Sequence, residues 1–366
     1  MNEPMNIPVV DLRDLGDVDP DRQRAAHEAL RVGFGQYGLV YVRNHHLSAE
    51  ALDRYYDRFV ALTARPEAEK RKLARADLWF QRGWTPPNTE HAVIASGQPD
   101  FKECYFAAPM PLDEECALQY PEMYAANVWP DDPEFAAPYL DVGRKMHEVG
   151  VALLRGCAAA LGMPIETFEA KTRGGPHVTR ALRYLPLNEA QVKQNVLWGE
   201  EHTDFNLLTI LPGGRFMDPN GVRCAPPDEG SGLYLRTRPS TAHPSGVLLH
   251  GRAPAGCMVA QVGQQLEILT GGTFLATPHV ITAPKTPGYS RLSSAHFVHL
   301  HPHQLLFPLE PFRTRETIMA YSPPVLAGTY DLKTMVDIAL APREALNALG
   351  YRHYERLEKL RAADAG

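Results

Sequence analysis

Trp198–Leu211 has the sequence WGEEHTDFNLLTIL, and this stretch carries the most informative pattern of the 366-residue chain. His202 and Asp204 lie two residues apart, just before the apolar run Phe205–Leu211. That run is partly β-branched, so we predict a buried strand there. Because residues two apart in a strand point to the same face, the pattern offers an imidazole nitrogen and a carboxylate oxygen side by side.

A third group of this kind follows at His279, in the run Thr273–Ile281. Two histidines and one carboxylate on one face of a metal leave the opposite positions open, which is the facial triad of non-haem Fe(II) sites. We therefore predict His202, Asp204 and His279 as metal ligands. The chain has 15 histidines and 43 acidic residues, so a His-x-Asp pair alone also fits a solvated loop or a hydrogen-bonded couple. The surrounding strands favour the metal site.

A carboxylate receptor is predicted on the strand Ser290–Val298. Arg291 and Ser293 are again two residues apart and share a strand face. A guanidinium fork with a hydroxyl beside it suits a carboxylate, which it can hold by charge-assisted hydrogen bonds. A salt bridge from Arg291 to a neighbouring helix is the competing interpretation.

The order of these motifs resembles that of a known family. His202-Thr-Asp204, a distant His279 and then Arg291-Leu-Ser293 are similar to the pattern of the isopenicillin N synthase-like family of Fe(II)/2-oxoglutarate-dependent oxygenases. Further segments resemble the opening strands and the middle of that family: Asn6–Leu12, Gly38–His45, Arg82–Trp84, Glu90 and Asp100–Glu103. The resemblance covers roughly residues 6–312. It implies a mainly β fold with flanking helices around a double-stranded β-helix (jelly roll) core, which is cupin-like.

The resemblance also implies a set of cofactors. His202, Asp204 and His279 would hold Fe(II), with 2-oxoglutarate as cosubstrate and O2 as oxidant. Arg291 and Ser293 would bind the distal carboxylate of 2-oxoglutarate. The reaction would hydroxylate a small-molecule substrate, or desaturate or cyclise it, and would release succinate and CO2.

The strand before the His-x-Asp motif departs from the family. Leu182–Pro186 stands where many members carry an Asn-Tyr-Tyr-Pro motif that contacts the cosubstrate. Alternation along the strand puts Arg180 and Tyr184 on one face and Arg183 on the other. We therefore predict Arg180 and Tyr184 as further cofactor-binding residues of the pocket.

Two other features follow from the same comparison of motifs. The stretches 212–221 and 240–246 are rich in Gly, Pro, Ser and Thr and are predicted to be added loops at the pocket mouth. A row of histidines follows the Arg-x-Ser motif, at His296, His299, His301 and His303. Alternation could give three of them a common face and a second metal. The family gives this segment no catalytic role, and we favour that interpretation.

Composition limits the partners and the location. The net charge of −6 disfavours nucleic acid and an acidic membrane surface. No apolar run approaches about 18 residues, so no transmembrane helix is expected, and the first residues lack a signal-peptide pattern. The five cysteines are scattered without a Cys-x-x-Cys pair, which favours free thiols and a reducing cytoplasm. A small molecule is the expected partner, and no feature indicates an oligomeric state.

The chain divides into three predicted parts of one integrated unit. Residues 1–175 form a helical and strand region packed on the barrel, 176–325 form the double-stranded β-helix catalytic core, and 326–366 form a helical tail. In the first part, Asp19 and Pro20 predict a helix start. The longest helix is predicted to begin near Pro133, because apolar residues recur there at steps of three and four.

Two alternatives to the leading interpretation remain open at this point. An Fe(II) oxidase of the isopenicillin N synthase type uses no 2-oxoglutarate, and Arg291 and Ser293 would then bind the substrate's own carboxylate. A non-catalytic jelly-roll protein that binds a metal or a ligand is the third candidate. Both would use the same residues, so the motifs do not separate them.

Overall fold

The computed structural model describes residues 6–89, 101–239 and 243–349. In these residues the strands are β1 Val9–Asp11, β2 Leu39–Arg43, β3 Gly83–Thr85, β4 Lys102–Ala107, β5 Val178–Tyr184, β6 Gly199–His202, β7 Leu208–Leu211, β8 Arg215–Met217, β9 Arg223–Cys224, β10 Gly232–Arg236, β11 Leu248–His250, β12 Met258–Val262, β13 His279–Thr282, β14 Ser290–Val298, β15 Leu305–Leu306 and β16 Val325–Leu326. The α-helices are α1 Pro20–Val32, α2 Ala49–Thr63, α3 Glu67–Arg71, α4 Glu114–Gln119, α5 Ala136–Ala160, α6 Glu189–Lys193, α7 Gln264–Leu269, α8 Arg315–Ala320 and α9 Ala327–Asp337.

Two sheets form the core. The larger one has the order β1-β2-β12-β7-β14-β5-β4-β3, with β8 added on β14 and β9 on β8. The smaller one has the order β11-β10-β13-β6. Residues of both sheets line one cavity, so the sheets face each other across it. Neither hydrogen-bonded order returns to its starting strand within the described residues, and the jelly roll is therefore open.

Strand register brings the predicted site residues to this cavity. In the smaller sheet His279 of β13 is paired directly with His202 of β6, and the register shifts just after this pair. In the larger sheet Arg291 of β14 is paired with Tyr184 of β5. The two halves of the predicted site therefore lie on facing sheets.

Helix α5 covers the outer side of the larger sheet. The predicted apolar stripe is buried along its whole length; it comprises Phe135, Tyr139, Val142, Met146, Val149, Leu153 and Cys157. A Cβ atom added at Gly150 would lie 2.7 Å from Cγ2 of Val298, so helix and strand approach closely there. Each fully buried side chain of this size contributes about 1.5–3 kcal/mol to folding. The prediction of a long helix packed on the barrel is confirmed.

The first helix begins at the predicted residues, and the helical chain ends at Gly38, but its last turn is of a different type. The Asp19 side chain accepts a hydrogen bond from the Asp21 amide, and Pro20 occupies the first helical position. After Val32 the chain continues as a π-helical turn, Gly33–Tyr37, which the sequence pattern did not predict. Gly38 ends it with φ of 66°, in the left-handed region that glycine adopts readily.

Strands from the N-terminal part of the chain belong to the same sheet as the core strands. β2 is paired with β12, and β4 is paired with β5. The predicted division at residues 175 and 325 stays a prediction. None of the helices in the described part of the chain combines the length and the apolar character that a bilayer crossing requires. Glu90 and the residues after 349 lie outside the described residues.

Candidate active site

His202, Asp204 and His279 come together at the open end of the smaller sheet. Nε2 of His202 lies 3.7 Å from Oδ1 of Asp204, and Nε2 of His279 lies 3.9 Å from the same oxygen. One ligand atom from each residue falls within 4.8 Å of the others. The alternation argument assumed that His202 and Asp204 share one face of a strand. However, β6 ends at His202, so Asp204 reaches the site from the segment that follows the strand.

Two of these side chains are held by a second contact on the far side. Nδ1 of His202 lies 2.8 Å from the carbonyl oxygen of Glu200, to which the ring N–H donates. Thr209 donates its hydroxyl to Oδ2 of Asp204 at 2.6 Å. For His202, the proton on Nδ1 leaves the Nε2 lone pair free, and Asp204 likewise keeps Oδ1 free. The free atoms converge on one point, which fits a divalent metal with an open face.

The pKa values of Asp204 and His279 also favour the metal-binding protonation states. Burial acts to raise the pKa of Asp204, but the imidazoles of His279 and His202 and the hydroxyl of Thr209 outweigh it and lower that pKa. Burial, with the neighbouring His202, lowers the pKa of His279 to about 4. At neutral pH the site therefore offers an ionised carboxylate and a neutral His279 ring, the forms that bind a metal.

Arg291 and Ser293 lie on the cavity face of β14. The Arg291 guanidinium sits between the rings of Tyr184, at 5.8 Å, and Phe216, at 5.9 Å. No carboxylate in residues 6–89, 101–239 and 243–349 forms an ion pair with it, so the competing interpretation of a salt bridge to a helix finds no support there. Ser293 is buried beside it. The pair is placed to receive an anion.

Arg180 and Tyr184 also line the cavity, on the face of β5 that alternation predicted. The Tyr184 ring stacks on Trp198 at 5.4 Å between centroids, which fixes it beside Arg291. The Arg180 guanidinium lies over the rings of Phe106, at 5.7 Å, and Phe297, at 5.1 Å. Their roles in binding a cofactor stay predictions.

The sequence of the chain is similar to sequences of known non-haem oxygenases. Residues 7–132 match the family described as the N-terminal region of the non-haem dioxygenase in morphine synthesis. Leucoanthocyanidin dioxygenase 2 of Oryza sativa subsp. japonica is 27% identical over 284 residues, which are 75% of this chain and 66%, just under two thirds, of that protein. Homoarginine-6-hydroxylase 2-ODD-233 of the same organism is 25% identical over 337 residues, 88% of this chain and 94% of that protein.

A solved structure extends the likeness to the fold. A 2OG-Fe(II) oxygenase family protein from Caulobacter crescentus superposes with a TM-score of 0.72 at 24% identity, and the match covers 91% of this chain and 99% of that one. These likenesses in sequence and fold support the predicted family, the isopenicillin N synthase-like Fe(II)/2-oxoglutarate-dependent oxygenases. The predicted jelly-roll fold with flanking helices is confirmed.

The oxygenase encloses a cavity of about 380 Å³, and some of its lining was not predicted as part of the site. Lys102 lies on β4 and lines the cavity, although its segment, Asp100–Glu103, was noted only for its resemblance to the middle of the family. His250 and Arg252 come from β11 and the loop after it. Gln261 contributes from β12 and contacts His279. No motif marks these positions, because each enters the cavity through sheet pairing between distant segments.

The row of histidines after β14 does not form one cluster. His296 faces the buried side of the sheet, where its Nε2 lies 3.2 Å from Nδ1 of His147. His299 lies near Asp331, with 3.6 Å between Nδ1 and Oδ2. His301 and His303 lie together beside Cys116, away from the cavity. A metal shared by His299, His301 and His303 on one face is therefore not supported by the structure.

Proposed function

We propose that this oxygenase hydroxylates a small molecule, with His202, Asp204 and His279 as its Fe(II) ligands. The observation that carries the proposal is the convergence of two Nε2 atoms and one Oδ1 atom, with His202 and Asp204 held from behind. Bound Fe(II) supplies the oxidative step, in which O2 and 2-oxoglutarate are converted to succinate and CO2 as the substrate is oxidised. Desaturation and ring closure are variants of the same outcome.

Arg291 and Ser293 are proposed to bind the distal carboxylate of 2-oxoglutarate. The Arg291 guanidinium is held between two aromatic rings, and Arg291 lines the cavity. A carboxylate can accept two parallel hydrogen bonds from it and a third from the Ser293 hydroxyl. Tyr184 keeps Arg291 in place, and Arg180 adds positive charge near Asp204 and His279.

The charge of the cavity lining supports a proposal about the substrate. Among the described residues that line the cavity, Asp204 is the one acidic residue, and the proposed metal would neutralise its negative charge. Arg252, in the loop after β11, also lines the cavity; it contacts the backbone carbonyl of Glu229 at 3.5 Å and is ion-paired with no carboxylate of residues 6–89, 101–239 and 243–349. Arg215 and Arg223, by contrast, are ion-paired with acidic residues of α2. We therefore propose a substrate with a carboxylate or another anionic group, which Arg252 would bind.

The function is tested with anaerobic protein to which Fe(II) and then 2-oxoglutarate are added. We expect a visible charge-transfer absorption when 2-oxoglutarate joins the iron, and succinate after O2 is admitted. The His279→Ala variant should show neither signal. Oxygen uptake without succinate, in the presence of candidate substrates, would favour the oxidase of the isopenicillin N synthase type. Absence of both absorption and oxygen uptake would favour a binding protein.

The anionic substrate is tested separately with paired compounds. A panel of small carboxylic acids is compared with the matching amides, and substrate-dependent succinate formation is measured for each pair. The acids should stimulate turnover and the amides should not, and Arg252→Gln should raise the KM of the active acids. Equal stimulation by acids and amides would refute the proposed substrate class and leave the proposed oxygenase activity intact.

A reducing compartment is proposed for the protein. All five cysteines are free thiols, and three of them are buried: Cys104, Cys116 and Cys157. Free thiols and ferrous iron both persist in the cytoplasm, which is therefore the proposed location.

A further inference from the structure

Three metal-binding side chains come together outside the cavity, from two distant parts of the chain. Cys116 lies on α4, whereas His301 and His303 lie in the segment that follows β14. One ligand atom of each falls within 4.8 Å of the others. Sγ of Cys116 lies 3.3 Å from Nε2 of His301, and none of the three residues lines the cavity.

A carboxylate lies next to one member of this group, His301. Oδ2 of Asp113 lies 3.3 Å from Nε2 of His301, the atom that also faces Cys116. The other oxygen of Asp113 caps α4, since Oδ1 accepts from the amides of Glu115, at 2.9 Å, and Cys116, at 3.2 Å. The cap holds Oδ2 toward the cluster. Thiolate, imidazole and carboxylate are all ligand types that tetrahedral Zn²⁺ accepts.

We propose that Cys116, His301, His303 and Asp113 form a structural Zn²⁺ site. The site would tie α4, in the N-terminal part of the chain, to the segment that leaves the barrel after β14. It differs in kind from the facial triad, because a thiolate selects Zn²⁺ over Fe(II) and four protein ligands leave no open position. The proposal does not depend on the proposed oxygenase activity.

In the absence of metal, hydrogen bonds hold the side chains of the cluster, and a bound metal would replace some of them. The His303 amide donates to Nδ1 of His301 at 3.2 Å, so the ring proton of His301 lies on Nε2, between Cys116 and Asp113. The ring of His303 forms an exposed hydrogen bond, with 2.7 Å between its Nε2 and Oε1 of Gln119. Metal bound at Nε2 of His301 replaces the proton there and shifts that ring to the tautomer protonated on Nδ1. The amide hydrogen bond to Nδ1 and the contacts of Nε2 with Cys116 and Asp113 would be exchanged for bonds to the metal.

The cysteine is suited to a closed site. Cys116 is 1% exposed, so a bound metal would be shielded from water on that side. Burial raises the pKa of its thiol, which therefore keeps its proton at neutral pH in the absence of metal. Metal binding must release this proton, and affinity should rise with pH.

The site is tested in the full-length His279→Ala protein, in which the facial triad is disabled. Metal-depleted protein is titrated with Co²⁺, which gives a sulfur-to-metal charge-transfer band only when a thiolate is bound. We expect one equivalent of Co²⁺ to produce the band and Zn²⁺ to remove it by displacement. Adding Cys116→Ala should abolish the band, whereas the matched control Cys157→Ala, at a buried thiol of α5, should retain it.

Two further variants test the Zn²⁺ site with less risk that the protein fails to fold. His303 is exposed, so His303→Ala should leave the fold intact and weaken Zn²⁺ binding by roughly 100-fold, the share of one ligand in a four-ligand site. Asp113→Asn keeps the helix cap, because asparagine caps as well as aspartate, and should also weaken binding. A band that survives Cys116→Ala, or no band in the His279→Ala protein, would show that Cys116 and His301 form only a hydrogen bond.

Discussion

The side-chain amide nitrogen Nε2 of Gln261 lies 2.5 Å from Nδ1 of His279. Gln261 is on β12 of the larger sheet and His279 is on β13 of the smaller sheet, so this contact joins the two sheets at the site. A metal on Nε2 requires the ring proton on Nδ1, which donates to Oε1 when the amide turns its oxygen toward the ring. That orientation gives Oε1 of Gln261 the Nδ1–H of His279 as donor, whereas in the structure Nε2 faces the ring and Oε1 is buried without a partner.

This contact predicts the behaviour of two variants at one position. Gln261→Met fills the same space without an acceptor for the Nδ1 proton, and we expect Fe(II) affinity to fall by about 10- to 100-fold. Gln261→Glu retains an acceptor and should bind Fe(II) much more tightly than Gln261→Met. Anaerobic Fe(II) titration measures both. If the two variants bound Fe(II) equally well, Gln261 would have no role in orienting His279.

Removal of the Arg291 guanidinium should weaken cosubstrate binding without loss of the metal. Arg291→Gln is expected to raise the Kd of 2-oxoglutarate by roughly 30-fold, since charge-assisted hydrogen bonds contribute about 2 kcal/mol. Ser293→Ala removes one neutral donor, about 1 kcal/mol, and should cost roughly 5-fold. Both constants follow from titration of the charge-transfer absorption, with Fe(II) affinity as the control. An unchanged 2-oxoglutarate affinity in Arg291→Gln would place the cosubstrate elsewhere.

Gly214 controls the position of the same guanidinium. A Cβ added at Gly214 would lie 2.7 Å from Nε and Nη2 of Arg291, too close for the side chain to remain where it is. Gly214→Ala should therefore displace the guanidinium, weaken 2-oxoglutarate binding less than Arg291→Gln does, and leave Fe(II) affinity unchanged. Gly16→Ala is the matched control, because a Cβ there meets no atom within 4 Å. Equal 2-oxoglutarate affinity in the two alanine variants would contradict the prediction.

A buried group of histidines predicts how stability depends on pH. Burial lowers the pKa of His147 to about 4 and holds the pKa values of His177 and His296 well below the ordinary value, so the folded protein keeps all three neutral. The unfolded chain binds protons below pH of about 6.5, its ordinary histidine pKa. Stability is therefore complete above that pH and is lost as pH falls toward 4, by up to about 1.4 kcal/mol per pH unit for each histidine.

Urea unfolding of the metal-free protein at pH 7.5 and pH 5.5 measures this loss. His147→Gln removes one of the three groups and should reduce the difference between the two pH values. His46→Asn, at an exposed histidine, is the control and should keep the wild-type difference. Stability that rose on acidification would show that these rings are protonated in the folded protein.

Local patterns in the sequence were sufficient for the elements that depend on near neighbours. Asp19 and Pro20 marked the start of α1, and the stripe from Phe135 to Cys157 defined the buried face of α5. Alternation placed Arg291 and Ser293 on the cavity face of β14. Each of these signals lies within one continuous segment, where the helical or strand repeat determines which residues share a face.

The convergence of His202, Asp204 and His279 was predicted from motif order and not from spacing alone. Each residue type and its neighbouring strand could be read from the sequence, and the pairing of β6 with β13 set His279 opposite His202. The position of Asp204 past the end of β6 was not foreseen, because strand ends depend on where hydrogen-bonded partners stop.

By itself, the sequence determined the residue types of the site, the elements that carry them and the family that the chain resembles. Only the tertiary structure decided which distant residues meet: Gln261 with His279, Lys102 with the cavity, and Cys116 with His301. The physical reason is that sequence periodicity reports only on the face of the helix or strand in which it occurs. The contacts between distant residues depend on the order of strands in the sheets and on how the helices pack over them. Neither the strand order nor the helix packing can be read from a single segment of the sequence.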